Sequence, residues 1–174
     1  QPQTFRLFYR NYVEPSDYVA MVGETGFATL EDAFAAAQNG EDVELIAATY
    51  EGFVIPAEFT GKLVINGNVV VENANGSAIT GENINISGTG TLTAIANGDH
   101  AYGIGGDNTK SINIENVHIL KVQGGHYGEI GSDTKYYKDA PEGGAAIGSG
   151  SNGAIINLTD VTIDEALGGS KSAG

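Results

Sequence analysis

The 174-residue chain contains no cysteine, only four prolines and very little positive charge. Without cysteine there is neither a disulfide framework nor a thiolate metal site. This leaves the compartment open, since many bacterial surface proteins also lack cysteine. Arginine occurs only as Arg6 and Arg10, and six scattered lysines complete the cations. Against 22 acidic residues the formal net charge is −14. Nucleic-acid binding needs clustered cations to neutralise phosphates, so it is excluded. An anionic membrane surface would repel such a chain. No apolar run reaches the length of a membrane-spanning helix and there is no signal peptide, so direct membrane insertion is not expected. The chain starts at Gln1 rather than Met, which points to a processed or excised form.

What is abundant is glycine, at 26 residues, and asparagine, at 14, while charged residues make up only 17%. Both residue types tolerate positive φ, so many tight turns are expected. A hydrophobic fraction of 41% fits a folded domain rather than a disordered chain, and the length can bury a sizeable core.

Residues 1–26 form an irregular N-terminal segment, with alternating Phe5, Leu7 and Tyr9 as one candidate strand and "YVAMVG" as a second. "ATLEDAFAAAQNG", within 27–40, is the one clear helix signal. Thr29 and Asp32 make a T-x-x-D capping box. Leu30, Ala33, Phe34 and Ala37 form one apolar stripe, and Gly40 is placed to end a helix over 29–38. From 41 to 174 the period changes to 2, with short strands separated by turns such as "NANG", "GGDN" and "GSGSNG". "SINIENVHILKV" (111–122) and "AIINLTDVTID" (154–164) each read as one strand.

These strands repeat. Ile112, Ile114, Val117 and Ile119 align with Ile156, Leu158, Val161 and Ile163 at a constant offset of 44. Asn113 and Asn116 align with Asn157 and Asp160 at the same offset. A weaker copy lies about 28 residues earlier, at Ile84 and Ile86. Removing the 19 residues 126–144 reduces the offset of 44 to about 25. Strand–turn–strand units of that length stack on themselves, because one unit cannot bury its inward face alone. The expected fold is all-β: a single-stranded right-handed parallel β-helix of about four to five coils. The helix covers its N-terminal end and a loop insertion interrupts it at 126–144. "ALGGSKSAG" supplies no cap at the other end, so the solenoid is read as truncated there, and end-to-end self-association through the uncapped coil is expected.

"VAMVGETGFATLEDAFAAAQNGEDVELIAATYEGFVIPAEFTGKLVINGN" (19–68) resembles the opening of the pectate-lyase-like right-handed β-helix superfamily, in which a short amphipathic helix leads into the first coil. "AYGIGG" and "GAAIGSG" are similar to the "GAGIGGG"-type repeats of β-helix modules in surface and adhesin proteins of gut Gram-positive bacteria. The resemblance covers about 19–170. It implies an extracellular, cell-surface setting and leaves function open, since this fold hosts lyases, hydrolases and adhesins alike.

The chemistry-bearing residues are sparse. A lyase of this fold needs a cluster of aspartates with an Arg or Lys base, yet no arginine follows Arg10, and Lys62, Lys110, Lys121 and Lys171 have no acid cluster at coil spacing. His100, His118 and His126 lack the spacing of a zinc site. "YGIGG" (102–106) and "AAIGSG" (145–150) stand among the short strands, and their "GIGG" and "AIGSG" runs also read as tight turns where coils pass closely. Asp99 and Asp107 flank "AYGIGG" and are the calcium candidates, weighed against a plainer role as turn acids. The insertion "SDTKYYKDAPEGG" is the most distinctive stretch. Tyr136 and Tyr137, flanked by Lys135 and Lys138 and joined by His126 and Tyr127, offer amphipathic rings that stack on a sugar or anchor a protein. Three functions follow as expectations. The first is a non-catalytic surface module binding a host or cell-wall glycan or a surface protein through this loop. The others are a polysaccharide lyase or glycoside hydrolase, and a structural spacer.

Overall fold

The computed structural model describes residues 15–125, 144–150 and 153–169. After a 3-10 turn at Pro15–Asp17, the chain forms β1 (Ala20–Val22), β2 (Thr25–Phe27) and the helix α1 (Leu30–Ala36). Then come β3 (Val43–Leu45), β4 (Thr49–Glu51), β5 (Phe53–Ile55), β6 (Leu63–Val64), β7 (Asn68–Asn73), β8 (Ile79–Gly81) and β9 (Asn83–Ser87). They are followed by β10 (Thr91–Ala96), β11 (Ile104–Gly106), β12 (Ser111–Glu115), β13 (His118–Gln123), β14 (Ile147–Ser149), β15 (Ile155–Thr159), β16 (Thr162–Ile163) and β17 (Ala166–Leu167). Among the described residues no helix is long and apolar enough to cross a membrane.

The protein is mostly β, with its strands in three sheets. Sheet A has the order β15-β12-β9-β6-β3-β1-β2, sheet B β16-β13-β10-β7-β4 with β17 also on β13, and sheet C β14-β11-β8-β5. From β3 onward the chain visits A, B and C in turn, and each pass pairs parallel with the one before. The sequence repeat is the pairing register. Ile112 and Ile114 sit opposite Ile84 and Ile86 on one side and Ile156 and Leu158 on the other. Ile119 sits opposite Ile163.

Alternation explains the core. Ile84, Ile86, Leu92, Ile112, Ile114 and Ile119 are fully buried or nearly so. Each contributes about 1.5–3 kcal/mol by leaving water. The outward positions between them stack by side-chain hydrogen bonding. Asn113 Nδ2 donates to Asn85 Oδ1 at 2.8 Å, and Asn157 Nδ2 to Asn113 Oδ1 at 2.8 Å. Neutral amides suit this column, where like charges would repel across a spacing of about 4.8 Å.

The two long apolar stretches are each broken once. Asn116 (φ 62) separates β12 from β13, and Asp160 (φ 51) separates β15 from β16. The apolar spacing signals the break: it steps by three from Ile114 to Val117 before returning to two. A bulge follows in β13, where Thr93 pairs with Lys121 rather than Leu120. Leu120 is the extra residue, which explains why so large an apolar side chain is 41% exposed. "YGIGG" and "AAIGSG" hold the short strands β11 and β14 of sheet C, as their strand reading has it, and their glycine runs are not turns. They do pass closely: a Cβ on Gly105 (φ +134) would lie 1.7 Å from the Gly148 carbonyl oxygen.

At the N-terminal end "YVAMVG" forms β1, which pairs antiparallel with both β2 and β3. The candidate strand at Phe5–Tyr9 lies outside the described residues. Thr29 caps α1, its Oγ1 accepting from Asp32 N–H at 3.1 Å. The helix is shorter than 29–38. Its C-cap, Ala37, is extended, and Gln38 N–H turns to the Glu41 carboxylate at 3.2 Å. Asn39 and Gly40 then reverse the chain at positive φ. Ala33 and Phe34 are buried, with Leu30 and Ala37 packed beside them. The Phe34 ring meets Phe59 edge-on at 5.0 Å and tilts against Phe53 at 6.4 Å.

Candidate functional site

The link from sheet B to sheet C differs between passes. Residues 97–103 suffice between β10 and β11, whereas 124–146 connect β13 to β14. The register therefore places the extra residues on this link. Tyr136, Tyr137, Lys135, Lys138, His126 and Tyr127 all lie outside the described residues.

Both ends of that segment are described, and they converge. Gly125 N–H donates to the Ala101 carbonyl at 2.7 Å. Gly144 lies so close to the same carbonyl that a Cβ there would be 1.6 Å from its oxygen. The insertion is rooted beside Ala101, on the corresponding link of the preceding pass.

Next to this root lies an open cleft of about 480 Å³. Its walls come from four segments: Val54 of β5, Ser77 with Thr80 and Glu82 around β8, Asp99–Tyr102, and Gly106–Thr109. Tyr102 organises it. Its N–H donates to Ser77 Oγ at 2.9 Å, and its hydroxyl donates to Asp107 Oδ1 at 2.8 Å. Burial and the Asp107 carboxylate push the Tyr102 phenol up to about 12. Thr109 is buried below, its hydroxyl donating to the Gly81 carbonyl at 2.6 Å while its own carbonyl accepts from Ser149 Oγ at 2.8 Å. His100, at the mouth, has φ 52, a backbone conformation few non-glycine residues adopt.

The two calcium candidates, Asp99 and Asp107, thus line one cleft. No group of three or more His, Asp or Glu side chains that could hold a metal ion occurs among the described residues. Among the described residues the lysines are paired individually. Lys62 Nζ lies 2.8 Å from Glu115, Lys110 Nζ 2.5 Å from Glu82 and Lys121 Nζ 3.8 Å from Glu165. Glu115 holds the Lys62 ammonium above its ordinary value. His118 points outward, its Nε2 2.8 Å from Asp164 Oδ1.

Tyr102, Glu82 and Thr109 were not singled out by sequence. Tyr102 stands inside the noted "AYGIGG", and an aromatic residue with a polar tip in a glycine-rich setting was the available signal. Chemically the cleft is a hydrogen-bonding surface rich in acceptors. Its volume falls in the range of small-molecule sites. Comparison with protein-family models, with curated proteins and with solved structures gave no match.

Proposed function

We propose that the chain is a right-handed parallel β-helix module of an extracellular bacterial surface protein, an adhesin or stalk that binds a glycan or a surface protein without turning it over. The cyclic A–B–C order of parallel strands supports the fold. The observation that carries the function is the cleft at Tyr102 and Asp107, which lies where both ends of the insertion converge. Carboxylates and hydroxyls there accept from and donate to a hydroxyl-rich ligand, and the tyrosine pair of the insertion supplies stacking rings on the sequence argument. Glu82, Asp99 and Asp107 disfavour acidic glycans, so the ligand is a neutral sugar or a protein surface.

The same three carboxylates favour one second possibility, glycoside hydrolysis by a carboxylate pair. Against it, Glu82 is ion-paired with Lys110 and Asp107 accepts the Tyr102 phenol. A screen of neutral glycans and host proteins separates the cases when read for both binding and reducing-end release. Binding that falls at least about tenfold in Asp107→Asn and in the Tyr136→Ala/Tyr137→Ala variant, with no release, is expected. Release of reducing ends abolished by Asp107→Asn would establish the hydrolase. Binding to nothing in the screen would leave the spacer.

A further inference from the structure

β15 ends sheet A, and no described strand pairs its outer edge. Ile155 N–H donates to Lys110 and the Thr159 carbonyl accepts from Asn116, each at 3.0 Å. In a parallel ladder one residue directs both its backbone groups to the same side. Residues 155, 157 and 159 therefore bond back toward β12, and Ile156 and Leu158 aim theirs at the open edge. Their side chains continue the buried Ile112 and Ile114 positions but are 41% and 45% exposed. On a chain of net charge −14, residues 153–159 carry no charge. Of the acids that follow, Asp160 lies in the turn after the strand, Asp164 is held by His118 and Glu165 by Lys121.

We infer that a second copy of this chain covers the edge, β15 pairing antiparallel with β15 of the other molecule about a two-fold axis at Asn157. The strand Ile-Ile-Asn-Leu-Thr is self-complementary about that residue. Ile156 falls opposite the other copy's Leu158, and both are the residues with open-edge backbone groups, so each pair exchanges its N–H and carbonyl. Both side chains lie on the core face, where they cover each other. On the outer face Asn157 meets its own copy. It spends one N–H on Asn113 and retains a second N–H and its carbonyl oxygen for a reciprocal bond. A slip of one residue would turn Asn157 toward the core face and lose the match. Such a contact is isologous and closes as a dimer. At the other end of sheet A, β1 and β2 occupy the edge beside β3, so β15 does not stack parallel on β3 of another copy.

The test uses the 174-residue chain, which has no cysteine of its own. Light scattering and sedimentation are expected to show a monomer–dimer equilibrium. Asn157→Cys is expected to oxidise to a covalent dimer, since residues facing each other in a non-hydrogen-bonded antiparallel pair have Cα atoms about 4.5 Å apart, within disulfide reach. Ile155→Cys and Thr159→Cys are each expected to stay uncrosslinked alone and to crosslink when mixed. Leu158→Lys is expected to weaken the dimer at least about tenfold with the far-ultraviolet circular dichroism unchanged. A chain that stays monomeric at about 0.1–1 mM, where a dimer of even weak affinity would form, would overturn the proposal. So would a dimer indifferent to Leu158→Lys, or crosslinking of Ile155→Cys alone. Should Leu158→Lys fail to fold, the cysteine pattern decides.

Discussion

The two ends of the strand stack are built from the same kind of residue and treat it differently. At the N-terminal end Val43 and Leu45 of the first pass are buried, because the β1–β2 hairpin and α1 lie over them. Aromatic rings fill the gap, and Tyr50 fastens the strap: its hydroxyl accepts from Ala47 N–H at 2.9 Å and donates to the Val19 carbonyl. At the other end Ile156 and Leu158 stand in register with fully buried residues and remain wet. Burial in this molecule is thus conferred by the neighbouring pass, not by the strand's own sequence. A given isoleucine stabilises the fold only if something stacks on it.

The largest effect that would sharpen this comparison is loss of the aromatic cap. Phe34→Ala is expected to cost about 3–5 kcal/mol in urea unfolding, since it removes the ring between Phe53 and Phe59. Next comes a matched pair. Ile114→Ala is expected to cost about 2–5 kcal/mol, whereas Leu158→Ala, at the corresponding position one pass later, is expected to cost about 1 kcal/mol or less in dilute solution. Equal costs would break the comparison. Tyr50→Phe removes the hydroxyl that ties the Ala47 N–H to the Val19 carbonyl, while the Ile46 and Ala47 N–H groups still reach that carbonyl, and is expected to cost about 0.5–1.5 kcal/mol. The mildest effect is alkaline. The Tyr102 phenol sits at about 12 in the folded protein against an ordinary 10.0, so its contribution is complete below pH 10 and is lost as pH rises toward 12. Burial raises the Tyr50 phenol as well, so titration by phenolate absorbance should show a late component that Tyr102→Phe reduces, and an unchanged titration would exclude the Tyr102–Asp107 bond in solution.

The offsets between repeats were legible because an inward face needs a fixed apolar pattern, and stacking turns that pattern into register. Asn113 and Asn157 were legible for the same reason. Short or irregular elements were not. β4 carries one aromatic residue between Thr49 and Glu51 and shows no alternation, and the breaks at Asn116 and Asp160 show only as a single step of three within an otherwise two-residue apolar spacing. The cleft was half legible: Asp99 and Asp107 stand out beside a glycine-rich run, but Thr109 bonds to a carbonyl 28 residues away and the root of the insertion at Ala101 depends on which links share a corner. Lys62 and Glu115 meet across two steps of the stack, a distance in sequence that no local pattern encodes.

Five of the outward hydrogen bonds share a sense, opposite to that of the Lys62–Glu115 pair. Asn113 donates to Asn85, Asn157 to Asn113, Ser111 to Asn83, Thr91 to Asn68 and Asn66 to Glu44, so in each the later pass gives and the earlier one receives. Along these bonds the stack is vectorial. Whatever settles on the far end meets the Asn157 amide with both an oxygen and a second N–H still to be matched.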